Sequence, residues 1–184
     1  MRFEELYKHE LEQRERLRSA LNLPLGLLVV VGGLFGIMLQ SLWFEVSVLS
    51  ILFYAAALGG VLFFSQTMYF LVRSYHGHIY KAMPFALEQR TYREGLREWH
   101  TKYGNGPDEG DREWVEYLER LYAEAADHNA GMNLIKSDYL FRANGAIIKC
   151  VICAVLAFVL FATHRALSPA APQRIEIVGR PELK

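Results

Sequence analysis

Residues 23–44, LPLGLLVVVGGLFGIMLQSLWF, and residues 46–72, VSVLSILFYAAALGGVLFFSQTMYFLV, contain not one charged side chain, and only Glu45 separates them. A helix needs about 20 apolar residues to cross a bilayer core, so each stretch is long enough to span one. Whole-chain composition hides this. Hydrophobic residues make up 52% of the 184, little above a soluble protein; their bunching is what decides the fold. The length leaves room for one modest domain beside the spans. Formal net charge is zero, so no bulk attraction to nucleic acid or to an anionic membrane follows.

Before the first stretch, residues 1–21 carry five acids and five bases. They hold the pairs Glu4–Lys8, Glu10–Arg14 and Glu12–Arg16, acid before base at a spacing that supports a helix. Phe3, Leu6, Tyr7, Leu11, Leu17 and Leu21 add a ragged apolar stripe. No small-residue cleavage site follows a short apolar core, so this is not a signal peptide. Pro24 suits the first turn of a helix, where its missing N–H costs little. The first span then runs from about Pro24 to Leu42, with Gly32 and Gly36 as a small-xxx-small pair of the kind that lets helices approach closely in lipid. Trp43 and Phe44 mark an interface, and so short a connection predicts a tight helical hairpin. The second span, from about Ser47 to Val72, is longer than a bilayer requires and therefore tilts or continues into the cytoplasm. Gly59 and Gly60 lie in its middle. Its inner half holds Ser65, Gln66 and Tyr69, polar groups that belong against protein or water rather than lipid.

Residues 73–144 carry ten bases and twelve acids. Pro84 opens a helix reaching about Tyr103, and GNGPDEGD at Gly104–Asp111 reads as a loop. From Arg112 a longer helix presents Trp114, Leu118, Leu121, Ala125, His128, Met132, Ile135 and Tyr139 at alternating four and three spacing. That is a heptad seam for helix packing or self-association. Gly145–Thr163 forms a third span despite Lys149, whose ammonium reaches the interface by snorkelling. In the tail, Pro169, Pro172 and Pro181 disfavour regular structure. Lysine and arginine flank the cytoplasmic face by the positive-inside rule: five in the N-terminal segment, ten in residues 73–144, none between the first two spans. The tail has only Arg165 close to the membrane.

The expected fold is therefore an all-α membrane protein. It comprises a cytoplasmic amphipathic helix over residues 1–21, a two-span transmembrane hairpin over 22–72, a cytoplasmic helical domain over 73–144, a third transmembrane helix over 145–163 and an extracytoplasmic tail over 164–184.

Chemistry is sparse. His76 and His78 lack the further ligands a metal needs. Cys150 and Cys153 share one face of an apolar helix, without the strand–helix context of a redox pair. No nucleophile has a partnered base and no glycine loop cradles phosphate, so neither enzyme activity nor a metal or cofactor is expected. The binding candidates are two. Arg90, Arg93, Arg97 and His100 share a face flanked by Tyr92, Trp99 and Tyr103; they suit a nucleotide, an oligonucleotide or a lipid headgroup, although Glu94 and Glu98 make a solvated face the leading reading. Asn129, Asn133 and Ser137, with Asn144 a heptad beyond, form a polar strip beside the seam. The strip reads as a register-fixing network between subunits, as a ligand surface, or as an exposed polar face. His128 within the seam is a pH switch or, more simply, a packed histidine.

The segments LNLPLGLLVVVGGLFG (21–36), LVRSYHGHIY (71–80) and YAEAADHNAGMNLIKSDYLFRAN (122–144) resemble SLATT-like transmembrane effectors of bacterial antiphage defence, with the Hailong-type membrane effector among the candidates. The third span departs from the simplest two-span layout of that set. The resemblance implies an oligomer that permeabilises the bacterial inner membrane under control of a nucleotide or short oligonucleotide made by a partner nucleotidyltransferase. It brings no catalytic residues. On this reading the oligomer interface draws on Gly32, Gly36, Leu118, Leu121, His128, Met132 and Ile135, and the pore is lined by Gln40, Ser65, Gln66 and backbone. The ligand meets Arg90, Arg93, Arg97, Asn129 and Asn133. The alternative is a membrane-anchored scaffold in which the same seam binds a partner protein.

Overall fold

The computed structural model describes residues 2–40 and 47–167. Trp43, Phe44 and Glu45, where the hairpin connection is expected, and the proline-bearing tail from Ser168 lie outside the described residues. Five helices follow in order: α1 Phe3–Ala20, α2 Asn22–Gln40, α3 Val48–Tyr75, α4 Ala86–Tyr103 and α5 Pro107–Leu167. No strand occurs among the described residues. Three of the helical segments are long and apolar enough to cross a membrane: α1–α2 taken together, α3 and α5.

α1 and α2 meet at the single residue Leu21, whose carbonyl accepts from Leu25 N–H at 3.2 Å. Pro24 cannot donate in this turn, as its missing N–H dictates. The Lys8–Glu4 and Arg16–Glu12 pairs form as the spacing predicts, at 2.6 and 3.8 Å. Arg14 does not pair with Glu10, whose carboxylate turns instead to Asn133. α3 begins under a serine cap, with Ser47 Oγ accepting from Ser50 N–H at 3.2 Å. It ends three residues beyond Val72, at Tyr75.

α5 differs most from expectation. The loop expected over Gly104–Asp111 shrinks to the three residues before Pro107, with Gly106 at φ +109° in the left-handed region glycine tolerates. Pro107, Asp108 and Glu109 are helix-opening chemistry, a proline and two acids at the positive end of the helix dipole. From there one helix of 61 residues runs to Leu167, about 90 Å at the usual rise. It passes through the boundary expected at 144/145 and past Thr163. Nothing breaks it, because neither proline nor a glycine pair intervenes.

α5 is also the element that α1, α2, α3 and α4 all share as a neighbour. Its apolar half turns small side chains inward: Ala143, Ala146, Cys150, Ala154 and Ala157 are buried. They let α3 lie close along it. α2 and α3 meet each other chiefly through side chains. The Phe35 ring lies where a Cβ on Gly60 would stand, and the Phe64 ring packs 3.5 Å from where a Cβ on Gly32 would be. The hairpin is thus less tight than its short connection suggests, since α5 supplies the backbone-level packing. The common core holds Val31, Phe35 and Met38 of α2, Phe53, Ala56 and Ala57 of α3 and the small face of α5.

Candidate functional site

Between α3 and α4 the chain runs extended, and its peptide groups need partners if they are covered. α5 supplies them. His128 Nε2 donates to the Ile79 carbonyl at 2.9 Å. The Asn129 amide grips Lys81 on both sides, accepting from its N–H at 2.8 Å and donating to its C=O at 3.1 Å. Asn133 accepts from the Tyr80 hydroxyl at 2.6 Å and donates to the backbone carbonyl and carboxylate of Glu10 at 2.8 and 2.9 Å. One turn on, Ser74 Oγ donates to the Lys136 carbonyl. Asn129 and Asn133 are buried. The strip therefore divides: the Asn129 and Asn133 amides clamp the 79–81 segment and α1 onto α5, whereas Ser137 and Asn144 lie on an exposed polar face. The helix pattern shows the asparagines; it does not show that the linker is what they hold.

The arginines of α4 have partners of their own. Arg93 donates to Asp111 at 2.9 Å, Arg97 lies 3.8 Å from the same carboxylate, and Arg90 pairs with Glu94 at 2.8 Å. Asp111, missed as a partner, reaches them because α5 starts early. Beneath this face His100, buried, donates from Nε2 to Glu113 at 2.9 Å. Tyr92 stacks with Trp114 and Tyr117. Arg90, Arg93 and Arg97 remain half-exposed or more, so a phosphate arriving here competes with Asp111 for Arg93 and Arg97.

A second basic site lies where α1, the end of α3, the linker and α5 converge, and it was not among the sequence-derived candidates. A cleft of about 340 Å³ is bordered by Arg14, Arg18, His78, Tyr80 and Lys136, above Leu17 and Leu21. The Arg14 guanidinium and the Lys136 ammonium each sit 4.7 Å from the Tyr80 ring centre, a favourable arrangement of cation and π-cloud. Among the described residues none of Arg14, Arg18 and Lys136 has a carboxylate within ion-pair distance. Partial burial pushes the Lys136 ammonium below its ordinary value, Arg14 and Arg18 push it the same way, and Glu15 opposes them. Burial raises the Tyr80 phenol, with Arg14 opposing and Glu10 adding to the rise. Next to the cleft, and sharing Leu21 and Tyr75 with it, an apolar groove of about 280 Å³ runs between Leu25 and Met68.

The remaining candidates scatter. Leu118, Leu121 and Met132 are half-buried within the chain, whereas His128 and Ile135 are exposed. Of the expected seam Trp114 and Ala125 are buried, and from there the inward face of α5 shifts to Ala126, Asn129 and Asn133. Gly32 receives Phe64, while Gly36 faces open space. Gln40, Ser65 and Gln66 are all exposed, with the Ser65 hydroxyl donating to Val61 O at 2.9 Å. Thr67, one residue on, is fully buried and donates to Phe63 O. Cys150 and Cys153 both address α3: Cys150 Sγ donates to Gly60 O at 3.4 Å, and Cys153 Sγ stands 3.4 Å from where a Gly59 Cβ would be. His78 donates to the Arg73 carbonyl at 3.0 Å. Among the described residues no three His, Cys, Asp or Glu side chains gather as a metal would require.

Comparison with protein-family models, with curated proteins and with solved structures returns no match for this chain.

Proposed function

We propose that the chain is one subunit of an oligomeric pore or ion channel in the bacterial inner membrane, an antiphage-defence effector of the SLATT-like kind, with the N-terminus and residues 73–144 in the cytoplasm. The observation that carries this reading is the exposed Ser65–Gln66 step on an otherwise apolar stretch of α3. A primary amide facing lipid is expensive, and polar groups at that depth face protein or water. Within one chain the packed core leaves that step outside, so a neighbouring subunit or a water column between subunits covers it. Gln40 is exposed in the same way at the far end of α2.

Gating follows from α5. The α4–α5 hairpin offers the half-exposed arginines to a nucleotide or oligonucleotide, the product of a partner nucleotidyltransferase. Displacing Asp111 there acts near the start of a helix whose other end lies among the spans, so binding biases a two-state arrangement of the bundle. No catalytic step is assigned to the chain.

The test is membrane potential. Cells expressing the triggered protein, followed with a potential-sensitive dye, should depolarise, and Gln66→Leu should blunt the response. Unchanged potential on triggering would sink the pore. A detergent-extracted monomer that associates only with a different protein would replace it with a membrane-anchored scaffold.

A further inference from the structure

We propose that the basic cleft and the apolar groove beside it form one binding site for an anionic phospholipid of the cytoplasmic leaflet. The phosphate lies among Arg14, Arg18 and Lys136, and an acyl chain lies between Leu25 and Met68. The inference rests on the membrane reading above but not on the pore.

Three cations converge on the cleft without a carboxylate partner among the described residues. The sequence spacing would have given Arg14 a partner in Glu10, but Asn133 takes that carboxylate. A concentration of like charge at close quarters is unfavourable until an anion enters, and guanidinium groups match phosphate in geometry. The position of the cleft then selects the anion. Its floor is Leu17 and Leu21, at the junction where α1 passes into the first span, and the groove that shares Leu21 and Tyr75 is bordered by Leu25, Met68, Leu71 and Val72. Charge on one side and alkyl surface on the other is the outline of an amphiphile. Basic pockets between spans on the cytoplasmic side suit lipid headgroups. A free nucleotide fits less well, because the Tyr80 ring is already engaged by Arg14 and Lys136 and is not open to a base.

The experiment uses the full chain, extracted in detergent and stripped of lipid. Thermal stability and binding are followed during titration with phosphatidylglycerol, with phosphatidylcholine of the same acyl chains, and with glycerol phosphate. The expected result is stabilisation by phosphatidylglycerol at concentrations at least about tenfold below those of phosphatidylcholine. Affinity should fall roughly fivefold for each of Arg14→Gln and Arg18→Gln, the loss set by one interfacial base, and Arg120→Gln, at an exposed position of α5 away from the cleft, should leave lipid affinity unchanged. Lys136→Gln should weaken the lipid effect yet raise the melting temperature of the lipid-free protein, because it removes a partly buried charge beside two arginines; a merely structural lysine would lower it. Equal response to the two lipids overturns the proposal, as does glycerol phosphate matching phosphatidylglycerol, which would mark a free-anion site. A chain recovered dispersed in the soluble fraction without detergent would defeat the membrane reading itself. A membrane-extracted chain without lipid selectivity defeats only this inference.

Discussion

The two halves of α5 are one helix held in two different ways. Over residues 107–136 its neighbours are fixed by directed polar contacts: Arg93 and Arg97 on Asp111, His100 on Glu113, and the His128, Asn129 and Asn133 side chains on the linker and α1. Over residues 143–161 the partners are held by closeness. Alanines and a cysteine meet α3, and the polar contacts to it include Cys150 on the Gly60 carbonyl and the Lys149 ammonium 5.7 Å from the Phe63 ring centre. The difference teaches what each environment permits. On the charged half, apolar area and specific hydrogen bonds hold the register; on the other half, which is long and apolar enough to cross a membrane, closeness of shape does.

The comparison can be broken at several points. The largest effect should come from Asn129→Ala, which strands both the N–H and the C=O of Lys81 beneath the clamp; a loss of about 2–4 kcal/mol is expected from two unpaired groups, read as a fall in melting temperature in detergent. Gly60→Ala tests the other half. The new methyl must displace the Phe35 ring, at an expected cost of about 1–3 kcal/mol by overpacking, and a paired Phe35→Leu should recover much of it. The smallest effect belongs to Arg93→Gln. Its partner is at the surface, so the loss should stay below about 1 kcal/mol and fade as salt is raised. Should Arg93→Gln rival Asn129→Ala, surface charge rather than the buried amides holds the N-terminal half of α5.

Much of the fold is legible because alkyl surface and charge segregate along the chain. The three apolar segments, the N-terminal charged helix and the start of α3 near Ser47 need only local chemistry. Helix ends are harder. GNGPDEGD reads as a loop by its glycines, yet Pro107 and the acids behind it open a helix, and the local signals point both ways. The candidate site was less legible still. Arg14 looks committed to Glu10 along α1, and only the fold brings Asn133 across to take that carboxylate, leaving the guanidinium against the Tyr80 ring. The same long-range step turned Asn129 and Asn133 from suspected ligand contacts into anchors for the chain's own backbone. Sequence spacing reports what shares a helical face; it is silent on which segment arrives opposite.

The unbroken course of α5 has a metrical consequence. Asn129 and Cys150 each dock on a fixed partner, and 21 residues separate them, a span of about 32 Å. Adding one residue between them would swing everything beyond it by about 100° and advance it by about 1.5 Å, so both anchors could not stay seated. Adding seven would return the face to within about 20° but carry the amide clamp two turns farther from the Cys150 anchor. The chain thus encodes a phase as well as a length, and only insertions that respect both should leave the molecule intact.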